Sequence, residues 1–389
     1  MRALSARNVM ALGLLFVGFW PMASEAVDKL RVESHGEVVL LEGRLWDSGD
    51  PTRLLLQRAD NRLQKVEVTD VLERSKDATR LVMHSRAQLT AALKQEFGDN
   101  FQIHATSHYV ICFNTVPEYA RWVGSLLERL YRGFYGHWDK RRAALTPSTA
   151  PLVVVIHRNQ QSFLKHVEGD LGETAEFIPG YYNQESNRVN LYDLSRLSER
   201  QEQLAVQGVR SGSPAVQIQR VLDHPTAERN VATIIHEGTH QLCFNSGMMR
   251  RLSYTPLWLS EGMAIYFETP QLSSPKGWTT IGGINRYSLN YYKLLERDGK
   301  LLKFDEIISS DDVFRSGKTV RAAYAQSWAL NYFLQKTKPQ QYRDFIKLQR
   351  LHVPLQQLSA KQRQVMFTEA FGASLTQIEN QMRVYFSKL

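Results

Sequence analysis

The feature that most constrains this chain is the run H-E-G-T-H at residues 236–240. In an α-helix, residues four positions apart lie on the same face, so the imidazoles of His236 and His240 can bind one metal ion. Glu237 then lies beside that ion, where a carboxylate can serve as a general base. The run therefore predicts a helix that carries two metal ligands and one proton acceptor.

A zinc site that performs hydrolysis needs a third protein ligand and one open position. An extended histidine motif would need Gly and His where the chain has Cys243 and Ser246, so that pattern is absent. Glu261 is the lone charge in the apolar run 257–267, and a buried acid needs a compensating partner such as a cation. We therefore predict Glu261 as the third ligand. Glu268, seven residues further on, could support a ligand or be a surface charge.

A short motif of this kind also arises by chance, in an amphipathic helix whose histidines have ordinary hydrogen-bond partners. Three observations favour the metal site. Residues 231–235 are largely apolar, Thr226 is a candidate N-cap, and the second helical segment supplies an acid without an obvious partner.

The runs H-E-G-T-H at 236–240 and W-L-S-E-G-M-A at 258–264, separated by 17 residues, resemble the two motifs of the gluzincin zinc peptidases. The second gluzincin motif often reads W-L-N-E-G, with the glutamate as a ligand. The chain is similar to a bacterial branch of the peptidase-MA-like superfamily. The resemblance implies a thermolysin-like domain that binds one Zn²⁺ ion through His236, His240 and Glu261. Ser260 replaces the asparagine of many relatives, so a supporting amide is not implied there.

The resemblance also implies two further parts of a peptidase site. In gluzincins, an edge strand beside the zinc helix pairs with extended peptide, and the matching place in order is held by Val189, Asn190, Leu191 and Tyr192. The alternative is an ordinary edge strand. Tyr324 follows Glu261 by about 60 residues, a separation that resembles that of the oxyanion-binding tyrosine in some gluzincin aminopeptidases. The alternative is a tyrosine packed in the core.

The first 26 residues have the pattern of a secretory signal. Arg2 and Arg7 supply its positive charge, residues 9–20 its apolar segment, and residues 24–26 a small-x-small cleavage site. The chain is therefore expected in the periplasm or the medium, with no transmembrane span after cleavage. An uncleaved membrane anchor is the alternative.

Three units are expected after the signal. Residues 27–80 alternate apolar and polar positions between turn signals, which predicts a small all-β domain, for which an SH3-like barrel is one form. This domain could dock to the cell envelope or be a structural appendage. Residues 81–98 are predicted to form a linking helix, with a capping box from Ser85 to Gln88 and a stop at Gly98.

Residues 99–389 form the predicted peptidase domain, and the chain as a whole is expected to be α+β with a mostly helical C-terminal half. Residues 194–224 are expected to be an insertion over the cleft or a surface lobe. The predicted strands are 108–113, 151–156, 180–182 and 188–192. The predicted helices are 117–138, a segment from 160, 289–295, 322–334, 340–348, 360–371 and 375–386.

The formal charge of +9 is spread along the chain, without the interleaved aromatic and basic residues of nucleic-acid binders. Loss of the signal lowers this charge to +8, which favours solubility or attraction to anionic envelope surfaces. Cys112 and Cys243 could form one disulfide in an oxidising compartment, although buried free thiols are the more frequent outcome. Neither is paired with a histidine in a way that predicts a nucleophile.

Taken together, these residues predict an exported zinc peptidase that acts on peptide or protein substrates. One Zn²⁺ ion would activate water, Glu237 would accept its proton, and Tyr324 would stabilise the oxyanion. No Gly-x-Met-Glu-Asn run is present, so aminopeptidase activity is not predicted. One alternative is a catalytically silent binding or scaffolding protein that keeps the peptidase fold. The other is a hydrolase of non-peptide amides in the cell wall.

Overall fold

The computed structural model describes residues 26–171, 178–195, 212–269 and 278–389, together with residues 197, 200, 203, 206 and 207. The predicted signal and most of residues 196–211 lie outside this part of the chain. Within it, no helix combines the length and the apolar character needed to cross a bilayer.

The N-terminal domain is a five-stranded antiparallel sheet. Its order is β4-β3-β2-β1-β5, and a short 3₁₀ turn joins β4 to β5. Alternate residues of the strands point into a small apolar core, as the sequence pattern requires. The predicted β domain is confirmed, whereas the SH3-like form stays a prediction with which this strand order is consistent. The strands are β1 (Ala26–Ser34), β2 (Glu37–Trp46), β3 (Arg53–Gln57), β4 (Leu63–Glu67) and β5 (Val71–Arg80).

A single helix, α1 (Arg86–Phe97), links this domain to the rest of the chain. The predicted capping box is confirmed, because the Ser85 side chain accepts from the Gln88 amide and Gln88 accepts from the Ser85 amide. Gly98 ends the helix with a φ of +71°, a conformation that favours glycine.

The second sheet has the order β6-β7-β8-β10-β9, with β7, β8 and β10 parallel and the two edge strands antiparallel to their neighbours. Its apolar central strands are covered on both faces, as parallel strands usually are. The sequence pattern does not predict β6, whose four residues are too few for a clear alternation. The strands are β6 (Gln102–Ala105), β7 (Tyr109–Phe113), β8 (Leu152–His157), β9 (Gly180–Asn183) and β10 (Arg188–Tyr192).

The prediction that residues 189–192 form the sheet edge is wrong. These residues belong to β10, which pairs with β8 on one side and β9 on the other. β9 precedes β10 in the chain and pairs with the side of β10 that faces away from β8. The edge of the sheet at this end is therefore β9. Because both sides of β10 are paired, it has no free backbone groups for an extended peptide.

The remainder of the chain is mainly helical, which confirms the α+β class and the helical C-terminal half. The long predicted helices are found, whereas α8 and α9 were missed because they are too short to show a period. The helices are α2 (Pro117–Asp139), α3 (Gln160–Leu171), α4 (Pro214–Asp223), α5 (Ala227–Asn245), α6 (Leu257–Phe267), α7 (Arg286–Arg297), α8 (Phe304–Ser309), α9 (Asp312–Arg315), α10 (Val320–Thr337), α11 (Pro339–Gln349), α12 (Ala360–Phe371) and α13 (Leu375–Phe386).

The predicted insertion at 194–224 ends in α4, which packs against α2 and α5. Val221 and Leu222 of this helix belong to the main hydrophobic core. This part of the segment is therefore structural and is not a surface lobe.

The N-terminal sheet is fastened to the turn that follows β9. The Leu63 amide donates to the Glu185 carbonyl at 2.8 Å. Arg251, only 3% exposed, donates to the carbonyl and the side-chain oxygen of Asn61, at 2.8 and 2.9 Å. The Arg251 guanidinium also lies 5.7 Å from the ring centroid of Trp46. These contacts place the edge of the small domain beside the edge of the second sheet.

Two glycines let the helices around residue 240 approach closely. A Cβ on Gly238 would lie 2.7 Å from side-chain atoms of Leu127 and Leu130 in α2. A Cβ on Gly262 would lie 2.1 Å from Nδ2 of Asn331 and 2.3 Å from the Ser327 carbonyl oxygen in α10. The backbone contact between α6 and α10 therefore requires glycine at 262.

Gly262→Ala should destabilise the protein by about 1–3 kcal/mol, because the added methyl group must push α10 away from α6. Gly136→Ala in α2 is the matched control, since no atom lies within 4 Å of its added Cβ. The control should be neutral or slightly stabilising. Urea unfolding of both variants measures the difference, and equal stabilities would contradict the packing argument.

Candidate metal centre

Three side chains from two helices converge at the centre of the molecule. The Nε2 atoms of His236 and His240 are 3.1 Å apart. Glu261 places Oε2 3.1 Å from Nε2 of His236 and Oε1 3.5 Å from Nε2 of His240. Ligand atoms of a tetrahedral zinc ion lie about 3.3 Å from one another, given zinc–ligand bonds of roughly 2.0–2.2 Å. The spacing of these donor atoms therefore fits a single cation of this size.

Local sequence explains why the three groups meet. The four-residue spacing places both histidines on one face of α5. Glu261 is the only charged residue of α6, a helix whose other side chains are nearly all buried. The side chains of His236, His240 and Glu261 are 15%, 12% and 14% exposed. The group is thus mostly withdrawn from water, with a small opening.

The electrostatics of the group show how strongly its members depend on one another. Burial by itself would raise the pKa of Glu261, but the charge on His240 and hydrogen bonds from both imidazoles hold it well below its ordinary value. Burial would lower the pKa of His236, yet hydrogen bonds to Glu261 and Glu268 raise it well above its ordinary value. A positive charge between these donors is therefore strongly favoured, and a divalent cation can replace the proton.

Glu268 supports the centre from behind His236. Its Oε2 lies 3.0 Å from Nδ1 of His236, while Asn285 donates from Nδ2 to Oε1 at 3.3 Å. A carboxylate on Nδ1 fixes the tautomer that directs Nε2 toward a metal. Of the two roles considered for Glu268, the structure therefore shows the supporting one.

Asn285 was missed by the sequence analysis. Its side-chain oxygen accepts from the Ser288 amide at 3.0 Å and so caps the N-terminus of α7. The N-R-Y-S run at 285–288 is a recognisable capping signal. Nothing in that signal indicates that the remaining amide group reaches Glu268.

The side chain of Glu237 extends from α5 to the edge strand β9. Its Oε2 accepts a hydrogen bond from the Tyr182 amide at 2.8 Å. Burial raises the pKa of Glu237 above its ordinary value, against the opposing charges of His236 and His240. A carboxylate in such an environment takes up a proton more readily than a solvated one.

Tyr324 reaches the same centre from α10. The charge on Glu261, together with burial and a hydrogen bond to that carboxylate, raises the pKa of Tyr324 far above its ordinary value. The residue is 38% exposed, so it is not the core tyrosine considered as an alternative. The structure therefore brings Tyr324 near Glu261, as the resemblance implies, while the chemical role of Tyr324 stays a prediction.

Several other residues singled out in the sequence do not belong to the centre. The predicted strand residues Val189, Asn190 and Leu191 are buried within the sheet. Thr226 stands at the N-cap position of α5 without a side-chain capping hydrogen bond, and its hydroxyl donates to the Leu194 carbonyl at 3.0 Å. Ser260 donates within its own helix to the Leu257 carbonyl.

The two cysteines are free and buried, which confirms the more frequent of the two expected outcomes. Cys112 packs in the cluster under α1, and Cys243 lies in the main core against Met263. Burial raises the pKa of both thiols, so neither is a reactive thiolate at neutral pH.

Residues 230–356 match a family described as a protein of unknown function, DUF1570. The matched segment begins within α5 and ends just after α11. It includes every residue described above at the centre except Tyr182. No curated protein sequence matches the chain.

Glu268→Gln should weaken the affinity for zinc by about 10- to 100-fold, because His236 loses the carboxylate that fixes its tautomer. Glu118→Gln is a suitable control, since among the described residues the ion-pair partner of Glu118 is Arg121, at 2.9 Å on the same helix. Competition with a chromophoric chelator gives both dissociation constants. Equal affinities in the two variants would reject this role for Glu268.

Proposed function

We propose that this protein is a zinc-dependent peptidase of the gluzincin type. The observation that carries the proposal is the convergence of two imidazoles and one carboxylate, with Glu237 beside them. Two histidines and a glutamate are a donor set typical of catalytic zinc, in which a fourth position is left for water or substrate. A structural zinc site would normally have four protein ligands, and the described residues supply three at this place.

The residues of the chain have separate tasks in this proposal. His236, His240 and Glu261 hold the ion, which when bound lowers the pKa of water and polarises a carbonyl group. Glu237 accepts a proton from the attacking water and later passes it to the leaving amine. Its hydrogen bond from Tyr182 keeps one carboxylate oxygen in place during both transfers.

Tyr324 is proposed to donate a hydrogen bond to the tetrahedral oxyanion. Its raised pKa keeps the hydroxyl protonated, as a donor must be. The charge of Glu261 is the largest cause of this raised pKa, so the hydroxyl lies near the carboxylate that is proposed to bind the ion.

We assign substrate binding to β9, in place of the β10 residues that the sequence resemblance implies. Among the described strands β9 pairs only with β10, so its outer backbone groups have no strand partner there. An extended peptide could add to this edge by backbone hydrogen bonds. The contact between Tyr182 and Glu237 would then bring its scissile bond close to the general base.

Export of the protein stays part of the proposal and rests on the signal pattern of residues 1–26. The small β domain is then expected to meet substrate or envelope material, because it lies beside the turn that follows β9.

Glu237→Gln should retain zinc and lose about 10²- to 10⁴-fold in kcat, because the amide cannot accept the proton. His240→Ala should lose zinc as well as activity. Elemental analysis and digestion of a peptide mixture measure the two properties separately. A Glu237→Gln variant that still cleaves at the wild-type rate would reject the mechanism, and wild-type zinc in His240→Ala would reject the ligand assignment.

The same preparations distinguish the two alternatives. A wild-type protein that binds zinc but cleaves neither peptides nor wall fragments would be a binding protein on a peptidase fold. Cleavage of wall fragments alone would indicate a hydrolase of non-peptide amides.

Tyr324→Phe should lower kcat by about 10²- to 10³-fold with zinc content unchanged, the range found when one oxyanion donor is removed. Tyr385→Phe is the control, since its ring packs against Phe333 and Phe386 away from the centre. Steady-state kinetics on one peptide measure the effect. An unchanged kcat, with or without a rise in KM, would contradict the assigned role.

A further inference from the structure

The rim of the centre carries a clamped arginine that the proposed mechanism does not use. Arg321 lies on α10, one turn before Tyr324, so the two residues are neighbours on that helix. Its guanidinium carbon lies 4.2 Å from the ring centroid of Tyr291 and 5.2 Å from that of Tyr287. Two aromatic rings of α7 thus hold this cation in place.

Independent contacts place this clamp beside the metal centre. Tyr324 lies close enough to Glu261 for the charge of that carboxylate to raise the pKa of its hydroxyl. Asn285, two residues before Tyr287, donates to Glu268, which in turn holds His236. The clamp therefore joins two helices, α7 and α10, that each also supply a residue near the centre.

The charge around the clamp is unbalanced. Arg286, Arg315, Lys318 and Arg321 are all exposed, and in the described part of the chain none has a carboxylate within ion-pair distance. Phe314, the neighbour of Arg315, packs against Tyr324 with ring centroids 6.1 Å apart. Asp312 is also exposed on α9, so the segment 312–321 carries three exposed cations and one exposed acid.

Stacking on aromatic faces restrains the plane of a guanidinium and leaves its N–H edge available. That edge matches a carboxylate in a bidentate arrangement, whereas lysine offers only a point charge. The carboxylates of the centre itself are already held by histidines and by the Tyr182 amide. An anionic group on the substrate would be the natural partner for the clamp.

On the basis of the proposed function, we infer that Arg321, held between Tyr287 and Tyr291, binds a carboxylate of the peptide substrate on the Tyr324 side of the scissile bond. The carboxylate can belong to an Asp or Glu side chain or to the peptide C-terminus. Arg321 is thus a residue that determines specificity, and it takes no part in bond cleavage.

The test compares zinc-loaded wild type with Arg321→Gln on a proteome-derived peptide library, with cleavage sites read by mass spectrometry. We expect acidic residues, or a free C-terminus, to be enriched at one position in the wild type and not in the variant. Matched peptides that carry Glu or Gln at this position, or end in a free acid or an amide, then identify the source. For the recognised group, kcat/KM should differ about tenfold in wild type and hardly at all in Arg321→Gln.

Arg297→Gln is the matched control. It removes the same charge from the far end of α7, where Arg297 pairs with Asp298 at 2.9 Å. This variant should keep the wild-type preference. Arg321→Lys should keep only part of it, because the planar fork is lost while the charge remains. An unchanged preference in Arg321→Gln, or equal losses in Arg321→Gln and Arg297→Gln, would overturn the inference.

A binding experiment separates this inference from the peptidase proposal. Immobilised, zinc-loaded Glu237→Gln protein is incubated with the same library, and the retained peptides are compared with those retained by the double variant that also carries Arg321→Gln. Acidic enrichment that depends on Arg321 would support the subsite even if the wild-type protein cleaves no peptide, so the two proposals can fail separately. Retention without acidic preference, or no retention, would overturn the subsite.

Discussion

The burial of one carboxylate against two imidazoles is the interaction on which the centre of this molecule depends. Glu261 lies in a helix that is otherwise almost entirely apolar, and such a charge is costly to bury without partners. His236 and His240 supply these partners from α5 at 3.1 and 3.5 Å. Removal of any one of these three side chains would leave a buried polar group without its hydrogen-bond partner. The arrangement is therefore as much a constraint on folding as a site for a cation.

Much of this centre could be predicted from the sequence because its determinants are local. The spacing of His236 and His240 fixes their common face, and Glu261 is conspicuous as a single charge in an apolar run. The supporting contacts could not be predicted in the same way. Asn285 meets Glu268, and the Tyr182 amide meets Glu237, only because loops of unpredictable path bring distant segments together. A backbone amide leaves no signature in a sequence at all.

The fold shows the same division between local and distant information. Capping boxes and apolar periods identified α1 and the long helices, since these signals lie within one element. The order of strands in the second sheet is a different kind of fact. The sequence predicts strands at 180–182 and 188–192, but it does not indicate which of them pairs with β8. In the structure β10 pairs with β8 in parallel, so β9 is the edge strand. The proposed peptide site therefore lies at β9.

Helix α10 connects stability with function in this arrangement. Its middle residues Ser327 and Asn331 pack against Gly262, the residue that follows Glu261. One turn earlier it presents Tyr324 to Glu261, and Arg321 to the rings of α7. Because a helix is stiff over three turns, the close packing at Gly262 sets the distance of both side chains from the centre. A loosened α6–α10 contact would therefore affect Tyr324 and Arg321, to which we assign oxyanion and carboxylate binding, before it disturbed His236, His240 and Glu261, which α5 and α6 hold between them.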